Sequence, residues 1–212
     1  MLVICHLLFI LRRLDLDTLR TERLVIRSFF MEELDELETT LNKDREWAGP
    51  GITINWHREK LQEYITLAKW DEGYRLFGNR AIVVKDDNSL AGMCGFRLGL
   101  WTPTAKALFW SQLFDPQTAS EDQSYTTLEL EIGYALISSQ QGRGYALEAA
   151  QALLDHAFNE LQVRRVFAGT NRSNSASMRL MRRLGMRLAS NPEQPGVEWP
   201  GAPGIVGVAL NK

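Results

Sequence analysis

Leu128-Glu129-Leu130-Glu131-Ile132-Gly133-Tyr134-Ala135-Leu136, followed four residues later by Gln141-Gly142-Arg143-Gly144-Tyr145-Ala146, is the stretch that decides how this chain folds. Period-two alternation sets Leu128, Leu130, Ile132, Tyr134 and Leu136 on one face and Glu129, Glu131 and Gly133 on the other. That predicts a half-buried strand with two carboxylates on its open face. Beyond the glycines, Ala146, Ala150, Leu153, Ala157 and Leu161 recur at helical spacing, while Glu148, Gln151, Asp155 and Asn159 fall on the far side, which predicts an amphipathic helix. The unit is strand, glycine loop, helix.

Such a loop has a physical use. The first turn of a helix leaves backbone N–H groups unpaired at the positive end of the helix dipole, a natural seat for phosphate oxygens. Gly142 and Gly144 permit backbone dihedrals closed to other residues and remove Cβ atoms from the path of an anion, and Arg143 adds a charge-assisted donor. Spacing separates the loop types. A nucleoside-triphosphate loop needs Lys-Ser/Thr after its last glycine, where Tyr145-Ala146 stands. A dinucleotide fingerprint starting at Gly142 needs Gly or Ala at position 147, where Leu147 stands.

Gln141-x-x-Gly144-x-Ala146 resembles the pyrophosphate loop of the GNAT acyltransferases, Gln/Arg-x-x-Gly-x-Gly/Ala. It is flanked, in the family's order, by Glu131-Ile132-Gly133-Tyr134, Ala168-Gly169-Thr170, Asn174-Ser175-Ala176-Ser177 and Leu184-Gly185-Met186. Thr21-Glu22-Arg23-Leu24-Val25-Ile26-Arg27 is similar to the opening strand of the Rim-type branch, the ribosomal-protein-serine/alanine N-acetyltransferases and their relatives. The resemblance runs from about Leu19 to Leu188. It implies an α/β (α+β) fold with a central mixed, mostly antiparallel sheet of about seven strands and helices on both faces. Residues 1–18 are then an N-terminal extension and 19–212 a single acetyltransferase domain.

Length, 212 residues, suits one domain with a sizeable core. A net charge of −2 predicts no general attraction to nucleic acid or membrane. Cys5 and Cys94 make neither a disulfide framework nor a metal spacing, and His6, His57 and His156 form no HxxxH cluster, so a reducing, cytoplasmic setting and no metal are expected. Met1 to Leu11 is an apolar run followed by Arg12 and Arg13. At about 1.5 Å per residue it spans half a bilayer core, and it lacks the charge pattern and cleavage site of a signal peptide, so an extra edge strand or an extension is expected.

Thr18 to Phe29 reads as a strand. Leu34, Leu37 and Leu41, and then Leu61, Tyr64, Ile65 and Ala68, recur at helical spacing around the breaker Gly49-Pro50-Gly51. In the family these helices wall the acceptor cleft, where Trp47, Trp56 and His57 could touch substrate; ordinary core and loop packing is the favoured reading of all three. Ala81–Lys85 and Leu90–Leu98 flank Asp86-Asp87-Asn88-Ser89 as a hairpin, with bulges or close backbone approach at Gly92, Gly95 and Gly99. Leu100 to Thr126 is a long connection carrying Trp101, Phe109, Trp110 and Phe114 and ending in Asp115, Glu121 and Asp122, expected to be a lid, a substrate wall or a dimer contact. Val163–Thr170 is a buried strand, Ser175–Leu184 a short helix and Gly204–Leu210 a closing strand. Seven arginines and no acidic residue lie between Leu161 and Pro192. They make a solvated basic face or a lure for coenzyme phosphates.

The resemblance implies direct acetyl transfer from acetyl-coenzyme A to an amine, through a tetrahedral intermediate and without an acyl-enzyme. Gln141, Gly142, Arg143, Gly144, Tyr145 and Ala146 would hold the pyrophosphate, and backbone amides at Leu136, Ile137 and Ser138 the pantetheine arm and thioester carbonyl. Asn174 would contact coenzyme, and Ser177 would contact coenzyme and protonate the thiolate. The tyrosine acid of many relatives has no clear counterpart. Glu131 is the preferred base, with Glu129 its alternate or a substrate anchor; both equally suit a solvated strand face. An α-amino group, reference pKa near 8, loses its proton more readily than lysine near 10.4, which favours a protein N-terminus as acceptor, with small amines open. Monomer and homodimer are both compatible. A non-catalytic coenzyme-binding module and, remotely, a dinucleotide-binding oxidoreductase are the readings from other classes.

Overall fold

The computed structural model describes residues 18–43, 57–70, 78–102, 106, 109, 111–114, 125–190 and 204–211. Its strands are β1 (Thr18–Arg20), β2 (Leu24–Arg27), β3 (Gly78–Val84), β4 (Leu90–Trp101), β5 (Thr127–Leu136), β6 (Arg165–Thr170), β7 (Arg187–Ser190) and β8 (Ile205–Leu210). The helices are α1 (Leu34–Lys43), α2 (Arg58–Trp70), α3 (Tyr145–Asn159) and α4 (Ser175–Arg183). The fold is mixed α/β with one eight-stranded, mostly antiparallel sheet in the order β1-β2-β3-β4-β5-β6-β8-β7. The parallel pair is β5 with β6.

Eight strands stand among the described residues against the expected seven: Thr18 to Phe29 is two strands, and Arg187–Ser190 forms β7, a strand the alternation did not mark. Thr21 breaks the Thr18 to Phe29 run. Its amide donates to the Leu24 carbonyl at 3.0 Å while its hydroxyl accepts from the Leu24 amide at 2.9 Å, closing a tight turn between β1 and β2. β4 runs on to Trp101, three residues beyond the expected end.

The chain packs as two compact units, residues 1–96 with 133–162 and residues 97–132 with 163–212. In the first, Phe29, Leu34, Leu37, Leu61 and Ile65 pack with Ala81, Val83 and Met93, so α1 and α2 cover one face of β3 and β4. The register Leu24↔Val84 and Ile26↔Ile82 directs those four buried residues to the other face, and α3 packs against β2. Gly92 and Gly95 allow the close approach their pattern suggested: a Cβ at Gly95 would stand 1.9 Å from the Gly78 carbonyl oxygen, and one at Gly92 2.2 Å from that of Ala135.

In the second unit, β8 shows both faces of its sheet. Val206 and Val208 join Trp101, Phe109, Leu113, Phe114, Phe167 and Ala189 in one core cluster. The intervening Gly207 lies under α4 and the turn after it, where a Cβ would meet the sulfurs of Met181 at 3.1 Å and Met186 at 3.2 Å. The long connection is thus, in its described part, a core element. Trp101 packs its ring 4.5 Å from that of Phe167 and edge-on to Phe109 at 5.8 Å. Trp47, Trp56, Trp110, Asp115, Glu121, Asp122 and the Met1–Leu11 run lie outside the described residues.

Candidate active site

In the first unit the end of β5 leads through a single 3₁₀ turn, Ser138–Gln140, into the glycine loop. Gly142 (φ 75°) and Gly144 (φ 85°) both sit in the left-handed region that penalises a side chain. Gly144 is the N-cap of α3 and offers no side-chain cap, so the first turn keeps its amides clear of protein side-chain acceptors at that position. A 15-residue helix directs its dipole at the loop. Gln141 donates from Nε2 to the Leu136 carbonyl at 3.0 Å, tying the loop to the end of the strand. A group with phosphate charge fits this cradle. Gln141 serves it as a brace.

Of the three amides expected to hold a thioester carbonyl, that of Ile137 is engaged elsewhere: it donates to the Ala91 carbonyl at 3.1 Å. Ile137 is therefore corrected from donor to part of the strand frame, because the chain is still in register with β4 at that residue. Arg143 is exposed and acts on the β3–β4 turn, where Ser89 first and Arg143 more weakly hold the Asp87 carboxyl below its ordinary range.

The two carboxylates of β5 belong to the second unit, and their surroundings differ. Pairing of Leu130 with Val166 sets Glu129 beside Arg165. Arg165 grips Glu129 with two donors, Nε to Oε2 at 2.9 Å and Nη2 to Oε1, and Thr127 Oγ1 adds a third at 2.8 Å. Both partners are buried, beneath a guanidinium that also faces the rings of Phe114 and Phe167. The expected open face is therefore closed at Glu129. Phe114 of the long connection faces the Arg165 guanidinium, and Glu129 stands in a buried ion pair.

Glu131, two residues on, is half-buried. Its Oε2 accepts from Nε of the exposed Arg97 at 2.7 Å. Its Oε1 lies over Gly99, where an added Cβ would come within 2.1 Å. Gly99 leaves the room that this carboxylate occupies.

Asn174 caps α4, its Oδ1 accepting from the Ser177 amide at 3.0 Å. The expected pair is thus brought together as a capped helix start. Of the seven arginines, Arg165 is buried on Glu129, Arg187 donates to the Leu113 carbonyl at 3.1 Å, and Arg179 to Ser175 Oγ at 3.1 Å. The basic run is to that extent structural. His57, at the start of α2, is exposed. Among the described residues no group of three His, Cys, Asp or Glu is placed to hold a metal, and no helix is long and apolar enough to cross a membrane.

One group the spacing did not reveal is Arg23 with Glu148, in the first unit. Glu148, in the first turn of α3, accepts from Thr21 Oγ1 at 2.5 Å, from the Arg23 amide at 2.8 Å and from Arg23 Nε at 2.7 Å. Burial pushes the Glu148 carboxyl up, but these bonds and the Arg23 charge together hold it below its ordinary range. Arg23 also donates to the Arg143 carbonyl at 2.9 Å and lies 4.9 Å over the Tyr145 ring.

Residues 23–187 match the model of the acetyltransferase (GNAT) domain. The chain belongs to the GNAT acetyltransferase family. It is 26% identical over 179 residues to the uncharacterized N-acetyltransferase p20 of Bacillus licheniformis, covering 80% of this chain and 82% of that one. Its fold is shared with the ribosomal-protein-S5-alanine acetyltransferase of Vibrio fischeri (TM-score 0.62, 14% identity, 92% and 96% of the two chains covered). It is shared also with RimL, a ribosomal L7/L12 alpha-N-protein acetyltransferase solved with coenzyme A (TM-score 0.61, 16% identity, 92% and 98% covered). This GNAT chain is an acetyl-coenzyme A-dependent acyltransferase.

Proposed function

We propose that this acetyltransferase moves the acetyl group of acetyl-coenzyme A directly to a primary amine, with a protein N-terminal α-amino group as the acceptor class. The observation that carries the coenzyme half is the loop: two left-handed glycines entering a long helix whose N-cap brings no side-chain acceptor. The acceptor half is supported by the easier deprotonation of an α-amine and by neighbours named for acetylating ribosomal proteins, one of them at the α-nitrogen.

Acetyl-coenzyme A supplies the activated thioester. Gly142, Arg143, Gly144, Tyr145 and Ala146 hold its pyrophosphate through backbone amides and the Arg143 guanidinium, with Gln141 fixing their path. The amides of Leu136 and Ser138 orient the pantetheine arm and the carbonyl. The family's pattern assigns Asn174 and Ser177 to the coenzyme as well, Ser177 as donor to the departing sulfur. Glu131 takes the amine proton, held in place by Arg97 and by the space at Gly99. Proximity and oxyanion stabilisation supply the rest of the rate.

The test is thioester consumption with a panel of N-terminal peptides, polyamines and aminoglycosides. Turnover confined to peptides with a free α-amine is the expected result. Turnover with small amines alone would move the acceptor class. Coenzyme binding without turnover on any amine would favour a non-catalytic coenzyme-binding module.

A further inference from the structure

The turn between β1 and β2 reaches the coenzyme loop through a chain of bonds that serve no helix or sheet. Lys85 Nζ donates to the carbonyls of Thr21 and Glu22, and the Lys85 amide to that of Arg23, which fixes the turn. Thr21 and Arg23 then hold Glu148, and Arg23 Nη1 reaches on to the Arg143 carbonyl. The arginine side chain is 45% exposed and Glu148 17%. A pair this wet adds little to global stability, so its effect falls on the segment it fixes.

Two consequences follow for an anion at the loop. Every described peptide bond is trans, so a carbonyl and the next amide point in opposite directions; drawing the Arg143 carbonyl toward Arg23 fixes the Gly144 N–H on the side away from that arginine. Glu148, meanwhile, is a carboxylate one turn from the place where a pyrophosphate would sit, and unpaired it would repel that group. Arg23 neutralises it.

We propose that Arg23, with Thr21 and Glu148, is a positioning residue for coenzyme binding, setting the Arg143–Gly144 peptide and cancelling the Glu148 charge that a pyrophosphate would otherwise meet. The proposal rests on the assignment of Gly142–Ala146 as the pyrophosphate loop. Arg23 acts through the loop and touches neither thioester nor amine.

Calorimetric titration of the wild type, R23A, R23K and R23A/E148A with coenzyme A and with pantetheine, which lacks the pyrophosphate, separates the outcomes. R23A should weaken coenzyme A by about tenfold to a hundredfold, the scale of a misplaced binding group, and leave pantetheine unchanged. R23K, which keeps the charge, and R23A/E148A, which removes the carboxylate, should each recover part of the loss. Coenzyme A binding to R23A as tight as to the wild type, or a loss equal for both ligands, would overturn the proposal. If R23A fails to fold, R23Q, which removes the charge and keeps the length, carries the same comparison with the same loss expected. A wild type that does not prefer coenzyme A to pantetheine would overturn the loop assignment itself, a result visible before any variant is made.

Discussion

A buried carboxylate that accepts from two nitrogens of one arginine and from a threonine hydroxyl is committed to that pair; that is the condition of Glu129. Removing one member of such a pair strands the other. Glu129→Ala should therefore destabilise the protein by about 3–5 kcal/mol, read as a fall in the urea midpoint. Glu131 stands in a different place, with one oxygen on an exposed arginine and the other over a glycine. Glu131→Gln keeps the shape and removes the basicity, so turnover should drop by about two to four orders of magnitude with coenzyme affinity unchanged. That loss should shrink at high pH, where the amine is already free; an equal loss at every pH would assign Glu131 to acceptor positioning. Gly99→Ala puts a methyl group where Oε1 lies and should reproduce most of the effect.

At the scale of elements, the loop and helix α3 act as one. Gly144 has a positive φ, and a Cβ there would lie 3.3 Å from Arg23 Nη2. Gly144→Ala thus carries a backbone cost of about 1–2 kcal/mol along with a loss of coenzyme affinity, and differential scanning beside calorimetry should register both. The far end of the same helix carries His156. Burial lowers its pKa from 6.5; Arg80 adds to the fall and Glu160 opposes it. The unfolded chain consequently binds the proton more readily than the native one, so stability is full above the ordinary histidine value and declines as pH falls below it. In His156→Asn, urea midpoints measured from pH 7.5 to 5.5 should lose that part of the slope.

On the scale of the whole molecule, the segment read as a long connection from Leu100 to Thr126 is the largest departure from expectation. Trp101, Phe109, Leu113 and Phe114 are buried against β6, β7 and β8 and form the core of the second unit. Trp101→Ala should cost about 3–5 kcal/mol, visible as a lower melting temperature, whereas a wall of the acceptor site would change amine selectivity at constant stability.

What the sequence determined by itself is what depends on neighbours along the chain. Glycine spacing requires positive φ at Gly142 and Gly144, alternation and the 3.6 period mark β5 and α3, and small residues in β4 announce close backbone approach. Each is a local steric rule, and each was legible. The tertiary structure alone decided which face of β5 is covered, that the Ile137 amide is engaged on β4, and what braces the loop. The Glu129–Arg165 pair joins residues 36 apart, and Arg23 meets Glu148 across 125 positions. No periodicity links such residues. Their pairing arises from the parallel register of β5 with β6 and from the packing of α3 on β2, and burial then closed one of two identical carboxylates into an ion pair and left the other half-buried beside an exposed arginine.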